Sequence, residues 1–137
     1  MKTPRLPRLL LGFSSLVLAL GALVHAAAFA KALAAVGRSN LAPFFGTCLK
    51  ALWLADSTTC LILAATFGLI AARPAAATRP LVLLLALIPT ATAVLIYTFL
   101  GAFFAGHFLL VPAAAAFIAG FRLQSVPRRA ERSEAPG

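Results

Sequence analysis

The chain has 137 residues, of which 62% are hydrophobic and 11% charged, and its mean hydropathy is +1.00. Soluble domains are about half apolar and about a quarter charged, so this composition excludes a water-soluble fold and points to lipid as the natural solvent. The net charge of +9 does not indicate nucleic-acid binding, because the basic residues sit at the ends of apolar blocks and form no stripe or motif.

Four apolar blocks follow one another, each able to supply about 20 residues of span. The first covers residues 9–36. Gly37-Arg38-Ser39-Asn40-Leu41-Ala42-Pro43 reads as a turn bounded by breakers. The second block covers residues 44–72 and ends at Arg73-Pro74-Ala75-Ala76-Ala77-Thr78-Arg79-Pro80, a loop with a proline near each end. The third covers 81–100, Gly101-Ala102 allows a tight reversal, and the fourth covers 103–121. No block alternates as a barrel strand does. The expected fold is therefore all-α, an integral membrane four-helix bundle in one domain over residues 9–121. It is flanked by a basic N-terminal segment, residues 1–8, and a basic, disordered tail, residues 122–137.

Lysine and arginine in short loops set orientation. Lys2, Arg5 and Arg8 precede the first block, Arg73 and Arg79 lie between the second and third, and Arg122, Arg128, Arg129 and Arg132 follow the fourth. The opposite side has Arg38 in its first loop. Both termini are expected to be cytoplasmic, in a multi-pass protein of the cytoplasmic (inner) membrane. The rival reading takes Lys2, Arg5 and Arg8 as the n-region of a signal peptide cleaved near Val24-His25-Ala26 or Ala26-Ala27-Ala28. Against it, the apolar run continues to Val36. Lys31 and Lys50 fall at matching heights and, as snorkelling cations, mark the outer membrane boundary. The first helical hairpin then extends about 10 Å beyond it.

Asp56 is the only acid before Glu131, and it lies within the second block. A carboxylate in hydrocarbon needs a partner, a proton or water. His25 lies six residues before Lys31 and Asp56 six after Lys50. Tyr97 and His107 flank the Gly101 turn. All four fall roughly 6–9 Å inside the outer surface. Asp56 shares a helical face with Trp53, Thr59, Cys60 and Leu63. Ser57, Thr58 and Thr59 are each able to bond back to their own helix. The candidate ligand- or proton-binding residues are therefore Asp56, His25, His107, Tyr97, Thr59 and Trp53. Cys48 and Cys60 are roughly 18 Å apart along one helix, beyond disulfide reach, and read as small core residues. No metal-ligand spacing or catalytic motif is present.

Three functions fit this pattern. The favoured one is a small-molecule or ion binding or transport protein with a polar site in the outer leaflet, functioning as a homodimer. The second is a structural or accessory subunit beside a larger membrane partner, with Asp56 as a pairing group. The third is a membrane redox enzyme in which His25 and His107 ligate haem b, or act with Asp56 on a quinone. Enzymatic function is the less favoured expectation, since no motif with known mechanics supports it.

Overall fold

In the computed structural model, residues 5–123 are described. They form α1 (Arg5–Ala27), α2 (Phe29–Gly37), α3 (Pro43–Ala72), α4 (Arg79–Leu100) and α5 (Phe104–Arg122), with a 3₁₀ turn at Pro74–Ala76. The expected extreme N-terminus and most of the expected tail, residues 1–4 and 124–137, lie outside the described residues. The described residues are all-α, and four stretches are long and apolar enough to cross a membrane: Arg5–Gly37, Pro43–Ala72, Arg79–Leu100 and Phe104–Arg122. This makes the chain a multi-pass membrane protein. Its lipid-facing surface follows from composition, with Leu9, Leu16, Leu84, Phe99 and Phe104 among many large exposed apolar side chains.

No side chain caps the N-terminus of α2, α3, α4 or α5. Proline opens α3 and α4, where its fixed φ suits the first turn and its missing N–H loses no helical bond. Gly101 closes α4 with φ +68°, a conformation that any β-carbon would strain. That single residue permits the abrupt reversal into α5.

The first block was expected to be one helix, but the structure interrupts it. At Ala28 the α-helical ladder breaks, and Lys31 N–H bonds to the Ala28 carbonyl. Neither glycine nor proline stands at the break.

The closest packing runs in series, with α1 against α3, α1 against α5, and α4 against α5. Arg8 Nε donates to the Ala71 carbonyl at 2.9 Å, and the Arg79 guanidinium lies 5.4 Å above the Phe121 ring. The four successive spans are therefore antiparallel, and Arg5, Arg8, Arg73, Arg79 and Arg122 gather at one end. Lys31, Arg38 and Lys50 lie toward the other.

Small residues let the backbones approach. The ring of Phe108 covers Gly21, that of Tyr97 covers Gly106, and Leu83 covers Gly120. Hydroxyls bond across the same seams. Buried Ser14 donates to the Pro112 carbonyl at 2.9 Å, and Ser15 donates to the Ala64 carbonyl at 2.6 Å. The core formed by Leu11, Leu18, Leu63, Phe67, Val82, Ala86 and Ala116 fills the arginine-rich end and the middle. The buried stripe of α1 is Pro7, Leu11, Ser14, Leu18 and Ala22. It stops one turn short of His25, and α2 buries nothing.

Candidate functional site

The site begins where that core thins out. His25 is in the last turn of α1, so its carbonyl is among those that the ending helix leaves without an internal partner. Trp53 on α3 supplies one, its indole N–H donating to the His25 carbonyl at 2.8 Å. The same indole stacks on the His25 imidazole, with ring centroids 4.2 Å apart and planes 10° from parallel. One tryptophan therefore fixes both the backbone and the ring of His25.

The ring nitrogens point to the next turn of α3. Nδ1 shares a 2.8 Å hydrogen bond with the Ser57 hydroxyl, and Nε2 lies 3.8 Å from Asp56 Oδ2. Ser57 also reaches the Trp53 carbonyl of its own helix at 3.2 Å. Spacing on α3 explains the convergence. Ser57 is one helical turn beyond Trp53, and Asp56 lies beside it on the flank of the same face.

This geometry accommodates the imidazole in two protonation states. With the ring neutral and its proton on Nε2 toward Asp56, Nδ1 accepts from the Ser57 hydroxyl. With the ring protonated, Nδ1–H donates to Ser57, and the hydroxyl hydrogen turns to the Trp53 carbonyl. Neither state leaves a buried hydrogen-bonding group orphaned, so the donors and acceptors of the seam fit either form of the ring.

Asp56 is placed differently. Its side chain is 41% exposed, and His25 is its one charge partner among the described residues. At 3.8 Å the contact is an ion pair only when His25 is protonated, and it is too long for a hydrogen bond. Neither Lys31 nor Lys50 forms an ion pair with it.

Ser57, His25 and Asp56 match a hydrolytic triad in composition but not in setting. Ser57 is 8% exposed and lies inside α3, where the neighbouring N–H groups are spent in the helix ladder. Among the described residues, no donors converge there to hold an oxyanion.

The other residues expected at the site lie elsewhere. Tyr97 and His107 meet each other across α4 and α5, ring centroids 5.3 Å apart and edge to face. His107 is exposed, with Nδ1 3.3 Å from the carbonyl of Phe103, the residue that precedes α5. Among the described residues, no hydrogen bond or ring contact joins this pair to the His25 cluster. The two pairs also differ in level: Ser14 of α1 meets Pro112 of α5, and from that contact His25 stands roughly 17 Å toward the α4–α5 turn and His107 roughly 8 Å. Thr59 is exposed and donates back to the Ala55 carbonyl at 2.9 Å, so it takes no part in the cluster. Ser57 was read only as a serine bonding to its own backbone. Its position one turn after Trp53 and next to Asp56 was the available signal.

No protein-family model, curated protein or solved structure matches this chain.

Proposed function

We propose that the protein binds or transports a small cation, the proton included, at the His25–Trp53–Asp56–Ser57 cluster in the outer leaflet of the cytoplasmic membrane. Both termini would then be cytoplasmic, since the arginine-rich end takes the inner side. One observation carries the reading: Asp56 is half-exposed, lies deep in a membrane-length helix, and accepts no hydrogen bond from the described residues. An acid placed to lock helices together is expected to be buried against a close donor. This carboxylate is instead left available, beside an imidazole that can exchange a proton in place. A cation arriving at Asp56 would compete with the charge on His25, so binding and proton release are coupled.

Trp53 is the only tryptophan, which gives the test a built-in reporter. Purified protein in weakly buffered detergent is titrated with tetraphenylphosphonium and with a series of small amines. The Trp53 emission and a pH dye are read together. Binding is expected to shift the emission and release protons, and Asp56→Asn should weaken both at least about tenfold, the scale of a lost charge-assisted contact. Proton release that survives Asp56→Asn unchanged would sink the assignment.

The accessory-subunit reading draws on another observation. Leu33, Leu41, Phe44, Phe45 and Leu49 are all exposed on α2, the start of α3 and the turn between them, beyond the level of the α4–α5 turn. A larger membrane partner or a second copy could cover them, and one stoichiometric partner retained through purification would favour that reading. Haem ligation by His25 and His107 has less support, because both His25 nitrogens already face Ser57 and Asp56.

A further inference from the structure

The arginine-rich end holds a second feature, separate from the His25 cluster. Between the first two turns of α1 and the last turn of α3 lies a cleft of about 420 Å³ lined by Arg5, Arg8, Leu9, Ala71 and Ala72. Arg5 and Arg8 are three residues apart and share one helical face. Arg8 is oriented, because its Nε donates to the Ala71 carbonyl at 2.9 Å. That bond holds the guanidinium across the cleft and leaves both terminal nitrogens as donors. Arg73 follows directly at the end of α3.

Charge here is not balanced by the described residues. The sole described acid, Asp56, stands roughly 22 Å away along α3, and the other two acids, Glu131 and Glu134, lie outside the described residues. The walls are apolar, and below Leu9 an exposed stripe continues along α1 through Phe13, Leu16 and Leu20. Two guanidinium donors above an apolar stripe have the shape of a phospholipid site, with phosphate at the arginines and an acyl chain along the leucines.

We propose that this cleft binds the phosphate of an anionic phospholipid from the leaflet at the arginine-rich end. Arg5 and Arg8 hold the headgroup, and the Leu9–Leu20 stripe seats one chain. Basic pockets between membrane helices recognise acidic headgroups through this combination of charge and shape.

The test uses full-length protein in detergent and native mass spectrometry of bound lipid. Phosphatidylglycerol and phosphatidylcholine are offered in turn, and inorganic phosphate is added as a competitor. Phosphatidylglycerol adducts are expected to dominate and to fall about fivefold in affinity for each of Arg5→Gln and Arg8→Gln, the scale of one arginine at an anionic surface. Arg79→Gln, at the same end but stacked on Phe121, should change binding less than twofold. Unaltered Trp53 emission shows that the variants remain folded. Equal losses from Arg79→Gln and Arg8→Gln would reduce the effect to diffuse surface charge and overturn the site. Displacement of the lipid by millimolar inorganic phosphate would reassign the cleft to the free anion. A severalfold rise in lipid binding in Glu131→Gln/Glu134→Gln would assign it to the chain's own tail.

Discussion

The α1–α3 pair and the α4–α5 pair are built on different principles. With its α2 extension, the first has stretches of 33 and 30 residues, and the second has 22 and 19. At 1.5 Å per residue these are about 50 and 45 Å against about 33 and 29 Å. The short pair matches a hydrocarbon core of about 30 Å, and the long pair exceeds it. Their contacts differ as well. The long pair is joined by hydrogen bonds between helices: Ser15 to the Ala64 carbonyl, Trp53 to the His25 carbonyl, and Ser57 to His25. The short pair is joined by steric fit, with Tyr97 over Gly106 and Leu83 over Gly120, and its prolines Pro89 and Pro112 turned into the core. In lipid the hydrophobic effect does not drive helices together, so packing and polar bonds are the two means available. The long pair uses both, with Gly68 under Ser15 and Gly46 under Val36, whereas the short pair has only packing among the described residues; the proposed binding chemistry falls in the half that adds polar bonds.

Phe67→Ala tests whether the polar half also needs an apolar anchor. Phe67 is fully buried in α3, and its truncation should destabilise the protein by about 3–5 kcal/mol, read from unfolding in detergent. A loss under about 1 kcal/mol would mean that the seam collapses around the cavity or that the hydrogen bonds suffice alone. Gly106→Ala applies the corresponding stress to the short half. A β-carbon there would sit 2.7 Å from the Tyr97 ring, so a loss of about 1–3 kcal/mol is expected. Tyr97→Ala in the same chain should recover part of it by opening space, though at its own packing cost. Failure of the double variant to recover anything would argue against steric fit as the tie.

Ser57→Ala separates structure from binding in the polar half. It removes the partner of His25 Nδ1 and should lower stability by only about 0.6–1.5 kcal/mol, the range for a single bond between membrane helices. Its effect on Trp53 emission and on proton release should be larger than that modest loss implies. Thr59→Val is the matched control on the same helix. Its hydroxyl bonds only to its own backbone, so emission and proton release should both match the parent protein. A Thr59→Val effect as large as that of Ser57→Ala would break the assignment of the site to one face of α3.

These expectations also mark what sequence could reveal. Block lengths and breakers located four spans to within a few residues, because lipid leaves helices as the main option for apolar blocks of this length. Depth counting from Lys31 and Lys50 put His25 level with Asp56, and counting from the Gly101 turn put Tyr97 level with His107. What counting could not provide was azimuth. Ser57 and Thr59 lie about 160° apart around α3, so azimuth decides which of them meets α1, and hydropathy is blind to it when nearly every side is apolar. The break at Ala28 was equally hidden. It coincides with a carbonyl satisfied from another helix by Trp53, a tertiary cause with no local signature. The division into two pairs depends on which helices are neighbours, and periodicity within each helix does not encode that.

Ser14 links the two halves and gives the smallest expected effect. It lies on α1, in the polar pair, yet its hydroxyl donates to the Pro112 carbonyl on α5 at 2.9 Å and to the Leu10 carbonyl of its own helix at 3.0 Å. Ser14→Ala removes a bond that crosses from one pair to the other. The Leu10 carbonyl keeps its helical partner, and the small, fully buried site accepts alanine with little change in volume. A loss of about 0.6 kcal/mol follows from the average for such bonds in membranes. If the halves behave as separate units, this loss should add to that of Gly106→Ala within about 0.5 kcal/mol in the double variant. A larger coupling would mean that α1 transmits strain between the two seams. The contrast between a polar half and a packed half would then hold for their contacts but not for their stability.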